Sequence, residues 1–347
     1  MTQGPQQPGS KRSRSGAMWR GLSAWRVGLC LAAAGIGSSP GRADEPPLLI
    51  AFSSYRERPQ HPQVYFYQHD GVGEGKLIEG IPTIAKRSDY HPSLSRDGRL
   101  CAFASEIENE PSRIRIWDRV ESKLIEPAGL NDSPNAQLWP SLSGDGGLLV
   151  FAAWNRPNSS ARWDLLLLDL ARRGFVPLGE INTLAHDERM PALSGDGRWL
   201  AFVTNGPGAG LMDVALADLS TRELVALPDL NSQHREVEPS LSADGRLVAF
   251  VSDRPGGAGG RDIYLYDCQT RGLVELAGLN SVAQEQSPSL SPDGRYLAFV
   301  SERLSGEGER DIFLYDVAER RLLATPGLNA RQEDLDPCIV VPSASGR

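Results

Sequence analysis

Acidic side chains recur in this chain three residues before a proline that itself repeats. The six positions hold five acids and one amide: Asp89, Gln137, Glu188, Glu236, Glu285 and Asp334. Carboxylates gathered around one opening raise each other's pKa unless solvent, a cation or a basic group compensates their charge. Two interpretations stay open: a docking site for a basic peptide segment or a divalent cation, and a solvated polar rim that the repeat carries with it.

Histidine and cysteine offer two further kinds of chemistry. His186 and His234 share one repeat position, five residues before the proline, and are candidates for a metal pair or are simply solvated imidazoles. The pattern supplies no fixed ligand set around these histidines, so no cofactor is expected beyond a divalent cation at the acidic positions.

Three cysteines follow the first 43 residues, and an odd number of cysteines is not a disulfide framework. No nucleophile elbow or Ser/His/Asp arrangement occurs, so we expect a protein that is not an enzyme.

The repeated proline belongs to a longer motif that positions these residues. HPSLSRDGRLCAFAS recurs in four further variants, the last of them SPSLSPDGRYLAFVS, and a sixth proline stands in DPCIVV. Each unit contains a short strand, an Asp-Gly turn suited to positive φ, a second strand, a polar loop and two more strands. Four strands in 40 to 50 residues are typical of a propeller blade. The anchoring prolines are Pro92, Pro140, Pro191, Pro239, Pro288 and Pro337.

The two ends of the repeat region predict how the ring closes. LLIAFSS near the N-terminus corresponds to a second strand, and no first strand precedes it. The missing strand is supplied by Cys338 to Val341, which should pair with Leu48 to Phe52. The fold class is therefore an all-β, six-bladed β-propeller with four-stranded blades, closed by a C-terminal strand that joins the N-terminal blade. One phenylalanine in each second strand is expected in the core: Phe52, Phe103, Phe151, Phe202, Phe250 and Phe299.

The first 43 residues predict a secretory leader. A basic segment from Met18, an apolar run at 27–37 and Gly41-Arg42-Ala43 match a signal peptide cleaved after Ala43, with Met18 as the true start. The apolar run is too short to span a bilayer. Cleavage removes six of the 36 basic residues and leaves 30 against 44 acidic ones, a formal net charge of −14 for the propeller at 44–347. Nucleic acid is not expected as a partner of so acidic a chain.

The repeats resemble those of the TolB-like propeller family. Ser291-Pro292-Asp293-Gly294, Ser252-Asp253-Arg254 and Asp262-Ile263-Tyr264 match the family pattern, and the resemblance covers nearly all of residues 48–341. It implies WD-repeat-like blades and, for TolB itself, an α/β domain before the propeller. Here the propeller begins a few residues after the predicted cleavage site, so the resemblance is to a stand-alone propeller without that N-terminal domain.

These observations lead to an expected function and two alternatives. We expect a monomeric, periplasmic propeller that binds an envelope protein or a glycan through its channel-mouth face, without catalysis and without a transmembrane segment. The first alternative is a Tol-system component for biopolymer transport. The second is a propeller enzyme of the metal-dependent sugar lyase type, which the resemblance also brings into view.

Overall fold

The computed structural model describes residues 47–82, 84–132, 134–154 and 162–342. The predicted signal peptide lies outside these residues. Within them, the strands form six four-stranded antiparallel sheets, one for each repeat. The first strand of each sheet contacts that of the next, and the series returns to its starting sheet, so the sheets are the blades of one ring. Both the fold class and the count of six predicted from the sequence are confirmed.

The strands follow the repeat order, with the fourth strand of each blade the shortest. Blades 1 to 3 contain β1 (Leu48–Ser54), β2 (Gln63–His69), β3 (Gly75–Ile78), β4 (Arg87–Leu94), β5 (Leu100–Ile107), β6 (Arg113–Asp118), β7 (Lys123–Ile125), β8 (Gln137–Leu142), β9 (Leu148–Trp154), β10 (Trp163–Asp169) and β11 (Gly174–Val176). Blades 4 and 5 contain β12 (Glu188–Leu193), β13 (Trp199–Thr204), β14 (Asp213–Asp218), β15 (Glu223–Val225), β16 (Glu236–Leu241), β17 (Leu247–Ser252), β18 (Asp262–Asp267) and β19 (Gly272–Val274). Blade 6 contains β20 (Glu285–Leu290), β21 (Tyr296–Ser301), β22 (Asp311–Asp316) and β23 (Arg321–Leu323), and β24 (Asp334–Val340) belongs to blade 1.

The last strand closes the ring as the sequence predicted. β24 pairs antiparallel with β1, with Leu49 opposite Val340 and Ala51 opposite Cys338. Blade 1 therefore takes its innermost strand from the C-terminal end of the repeat region and its other three strands from the N-terminal end. Because each inner strand contacts its neighbours, this pairing leaves no open seam between the first and last repeats.

The core lies between neighbouring blades. One apolar cluster joins Phe52 of blade 1 to Val300 of blade 6, and another joins Leu216 of blade 4 to Phe250 of blade 5. All six repeat phenylalanines are at most 2% exposed, which confirms the prediction that they are core residues. Fully burying such a ring stabilises the fold by about 1.5–3 kcal/mol.

Short polar contacts link one inner strand to the next. The hydroxyl of Ser93 accepts a hydrogen bond from the backbone N–H of Leu142 in the following blade at 2.9 Å, and three other blade pairs repeat this contact. At the ring closure Cys338 takes the place of the serine, with its Sγ 3.3 Å from the N of Leu94. No helix in the described part of the chain has the length and apolar character needed to cross a membrane.

Candidate functional site

The six predicted ring positions begin or lie near the beginning of the inner strands, and their side chains are inside the protein. All of them are between 0% and 1% exposed. They recur at equivalent places around the ring, but burial takes them away from an open, solvated rim. Their role in binding a partner or a cation stays a prediction, and what the structure adds is how their charges are compensated.

In blade 5 an arginine compensates the acid. Nη2 of Arg254 lies 2.9 Å from Oε1 of Glu236 and also donates to the carbonyl of Leu230, while Nε donates to the hydroxyl of Ser252 at 3.0 Å. The guanidinium also lies over two aromatic rings, those of Phe250 and Tyr264. We call this set of contacts the arginine clamp. Charge-assisted hydrogen bonds and ring stacking suit a planar guanidinium better than an ammonium group.

Blades 6 and 1 repeat the arginine clamp with few changes. Their guanidinium-to-acid distances are 3.0 Å and 2.8 Å, and the arginine side chains are 12% exposed in both. The equivalent residues are Arg303, Glu285, Ser301 and Phe313 in blade 6, and Arg56, Asp334, Ser54 and Tyr65 in blade 1.

Blades 2 and 3 compensate the position differently. In blade 2, Arg87 is two residues before Asp89 and lies 2.8 Å from its carboxylate, with both side chains at most 1% exposed. In blade 3 the residue is Gln137, which is neutral. Its amide donates to the carbonyl of Leu130 at 2.8 Å and accepts from the N–H of Ile114 at 3.3 Å. Neither blade leaves a charged group without compensation at this position.

Glu188 in blade 4 differs from the other five. Its described partners are the hydroxyl and the backbone N–H of Thr183, neither of which carries a charge. Burial raises the pKa of Glu188 to about 7, and the charges of Asp164 and Asp187 push it in the same direction. The chain has Gly206 where blade 5 has Arg254, so the clamp in blade 4 lacks its own arginine.

A second set of residues, directly before each proline, lines the mouth of the channel. Each has a positive φ between 50° and 55°, and in each blade the pairing of the inner strand shifts register there. Such a bulge turns a side chain out of the sheet, here into a cavity of about 370 Å³. We call these six residues the mouth set: His91, Trp139, Met190, Glu238, Ser287 and Asp336.

The mouth set is chemically divided. Going round the ring, blades 2 to 4 contribute an imidazole, an indole and a thioether, and blades 5, 6 and 1 contribute a carboxylate, a hydroxyl and a carboxylate. None of the six is glycine, although glycine adopts a positive φ without strain. Elsewhere in the described residues, a non-glycine residue with a positive φ lies in a turn, whereas these six lie within the inner strands and share one cavity. That placement favours a role for the side chains, because strain of this kind is typical of functional sites.

The apolar half continues outward as a row of aromatic rings. The ring centroids of His91 and Trp139 are 5.9 Å apart, those of Trp139 and Trp163 are 5.0 Å apart, and Trp154 meets Trp163 edge-on at 5.0 Å. Trp154 is 37% exposed, so the row reaches from the channel mouth to the surface of blade 3. Aromatic faces of this kind bind cations, apolar groups and the C–H faces of sugars.

The acidic half is held by contacts between blades. Oε2 of Glu238 accepts a hydrogen bond from the N–H of Ser287 at 2.6 Å, and Oδ2 of Asp336 accepts one from the N–H of His91 at 3.3 Å. Burial raises the pKa of Glu238, and the charge of Asp336 raises it further. Two carboxylates on one side of a narrow mouth therefore favour a positively charged group between them.

The histidine and cysteine candidates have simple surroundings. The His186 ring lies beside Gly206, and Nδ1 of His234 lies 3.9 Å from Oδ1 of Asp253. Among the described residues no group of three or more His, Cys, Asp or Glu side chains is arranged to hold a metal ion. Cys101, Cys268 and Cys338 are free thiols, and burial raises the pKa of all three.

Comparison with known proteins shows similarity in fold to solved structures. No protein-family model and no curated protein sequence matches this chain. TolB from Acinetobacter baumannii is similar at 19% identity and a TM-score of 0.61, covering 87% of this chain and 68% of that one. A putative TolB from Agrobacterium tumefaciens follows at 15% identity and 0.50, covering 80% and 87%. Oligogalacturonate lyase from Vibrio parahaemolyticus is similar at 12% and 0.51, covering 80% and 74%. The chain thus has a propeller fold like that of TolB, and identities this low extend the likeness no further than the fold.

Proposed function

We propose that this protein is a non-catalytic binding protein of the cell envelope, which docks a protein or glycan partner at the mouth set. It is secreted to the periplasm by the predicted signal peptide and works there as a monomer. One observation carries the proposal: six residues of different types, apolar on one side and acidic on the other, share a strained backbone conformation and line one cavity.

The divided mouth indicates what kind of group would bind. A segment with a basic side chain and an apolar stem places its charge between Glu238 and Asp336 and its stem against Trp139 and Met190. The attraction of the carboxylates is stronger in a concave, partly desolvated mouth than at an open surface. A basic peptide segment of a partner protein therefore fits better than a neutral glycan, which would rely on the aromatic half alone.

Capture of envelope proteins on the purified chain tests this proposal. We expect wild-type protein to retain a partner that is lost by the double variant Glu238→Gln/Asp336→Asn and by Trp139→Ala. The loss of binding caused by the double variant should be larger at low salt, because salt screens the attraction of the two carboxylates for a basic group. Glu275→Gln is the matched control, since it removes one carboxylate whose side chain is 75% exposed on the outer part of blade 5. A partner that binds all variants equally would refute docking at the mouth set.

The two alternatives give different results in the same preparation. A Tol-system component would capture Tol proteins specifically, and the likeness to TolB structures supports keeping this test. A metal-dependent sugar lyase would bind a divalent cation and cleave an oligogalacturonate with it. Metal analysis and a product assay check this second alternative, for which the similar lyase structure supplies the reason.

A further inference from the structure

Blade 4 keeps the frame of the arginine clamp. Glu188 is paired in register with Thr204, as Glu236 is with Ser252 and Glu285 with Ser301. The hydroxyl of Thr183 bonds the Glu188 carboxylate at 2.9 Å, as Ser232 and Ser281 do for the acids of blades 5 and 6. Two of the acceptors that hold a guanidinium elsewhere in the ring, the carboxylate and the hydroxyl beside it, are therefore retained.

The backbone that would carry the arginine is also in place. The N–H of Gly206 donates to the hydroxyl of Thr204 at 3.0 Å, and that of Arg254 donates to Ser252 at 3.1 Å. A Cβ built on Gly206 would have side-chain atoms as its three nearest neighbours, namely the Thr204 hydroxyl at 3.2 Å and two His186 ring atoms at 3.5 Å. The backbone at position 206 thus makes the same contact as at the clamp arginine of blade 5, but glycine provides no side chain there.

Two groups of the clamp are missing from blade 4. One is the guanidinium itself. The other is the second aromatic ring, since Phe202 lies opposite Ala215 where Phe250 lies opposite Tyr264 and Phe299 opposite Phe313.

The hydroxyl residue beside the acid is more exposed in blade 4 than in the three clamped blades. The serines under the three arginine clamps are at most 1% exposed, whereas Thr204 is half-buried. Glu188 itself remains 1% exposed, with no positively charged partner among the described residues. A carboxylate buried without a cation costs free energy that an incoming cation recovers.

We propose that blade 4 carries a binding site for a guanidinium group from outside the chain, formed by Glu188, Thr204 and the face of Phe202. The bound group takes the position that Arg254, Arg303 and Arg56 occupy in their own blades. Ala215 stands where blades 5 and 6 carry the second aromatic ring beside the guanidinium. The source is either free arginine or an arginine side chain of a partner peptide, and both present the same chemistry. This site is separate from the mouth set.

Calorimetric titration of the full chain at pH 8 tests the proposal. The ligands are methylguanidinium, L-arginine and an acetylated, amidated Ala-Arg-Ala tripeptide, each compared with its lysine or methylammonium counterpart. We expect the guanidinium ligands to bind at least tenfold more tightly than the ammonium ligands, because only a planar guanidinium matches the acceptors. A tripeptide that binds more tightly than arginine identifies a partner's side chain as the source, and the reverse identifies free arginine; both results support the site.

Two variants locate the binding. Glu188→Gln should weaken it at least tenfold, and Gly206→Arg should abolish it while raising the melting temperature, because the chain then fills its own clamp. Glu275→Gln and Gly260→Arg are matched controls; Gly260 lies on the equivalent loop of blade 5 with no atom within 4 Å of a built Cβ, and its variant should bind as the wild type does. Arg156 lies outside the described residues, so Arg156→Gln is also titrated, and binding should persist.

The proposal fails if guanidinium ligands bind no better than ammonium ligands. It also fails if both Glu188→Gln and Gly206→Arg leave binding unchanged, or if binding appears only after Arg156→Gln. Because the mouth set is not altered in any of these variants, a negative result here leaves the proposed function untouched.

Discussion

The buried Glu188 should make the stability of this propeller depend on pH near neutrality. The perturbation is Glu188→Gln, which keeps the shape and removes the charge. Blade 3 provides the precedent, because Gln137 occupies the same position and both its amide nitrogen and its amide oxygen are hydrogen-bonded there.

The size and sign of the effect follow from the raised pKa. The Glu188 pKa is about 7 in the folded chain against an ordinary value of 4.5. Between these values the unfolded chain releases the proton and the folded chain keeps it, so stability falls as pH rises and levels off above about 7. At about 1.36 kcal/mol per pKa unit the full effect is about 3 kcal/mol. Solvent near the half-buried Thr204 reduces this electrostatic effect. We therefore expect the free energy of unfolding of the wild type to fall by about 1–3 kcal/mol as the pH rises.

Urea unfolding followed by tryptophan fluorescence between pH 4.5 and 8.5 measures the difference. Glu188→Gln should match the wild type at the acidic end and be more stable by about 1–3 kcal/mol at pH 8. Glu275→Gln, at an exposed site, should follow the wild type throughout. If the free energies of unfolding of the wild type and Glu188→Gln changed with pH in parallel, the reasoning would be refuted. The Glu188 carboxyl would then titrate alike in the folded and unfolded states.

Three further predictions concern other parts of the chain. Arg303→Gln leaves Glu285 buried without its cation and should cost about 3–5 kcal/mol at pH 8 by urea unfolding, with part recovered in the double variant with Glu285→Gln; a wild-type midpoint would contradict this. Deleting residues 335–347 removes most of β24, exposes the edge of β1, and should give an unfolded or oligomeric protein by size exclusion with light scattering, not an unchanged monomer. Mass spectrometry of the envelope fraction should find Asp44 as the N-terminal residue, and recovery of an uncleaved cytoplasmic chain would remove the periplasmic proposal.

Most of the fold could be predicted because its signals are local. Asp-Gly turns and alternating strands repeat in every blade, and the missing first strand at one end matches the extra strand at the other. The predicted closing strand ended at Val341, one residue beyond the observed end of β24. A strand end depends on its last hydrogen-bond partner, which the sequence alone does not specify.

The candidate site was harder to predict because its parts are set by tertiary contacts. The acid positions stood out because they repeat, but their burial depends on arginines such as Arg254, 18 residues further along the chain. The mouth set has a different residue in each blade and so carries no repeat signal. Its direction comes from a bulge that breaks the alternation of the inner strand, and strand periodicity does not reveal such a bulge. The change from Arg254 to Gly206 was visible in the sequence, and it becomes informative once the clamp is known.

The pairing of β24 with β1 also bears on how this protein could be re-engineered. Since Leu49 and Val340 are register partners in one sheet, a short linker could join them and make the backbone a covalent circle. New ends could then be opened between β11 and β12, in the loop before Glu188, to give a circular permutant with the same six blades. Such a permutant would convert the hydrogen-bonded closure of blade 1 into a covalent hairpin and move the chain break to the boundary between blades 3 and 4, so that each blade is formed by one continuous stretch of chain. Comparing its unfolding with that of the parent chain would show how much of the ring's cooperativity depends on where the seam lies.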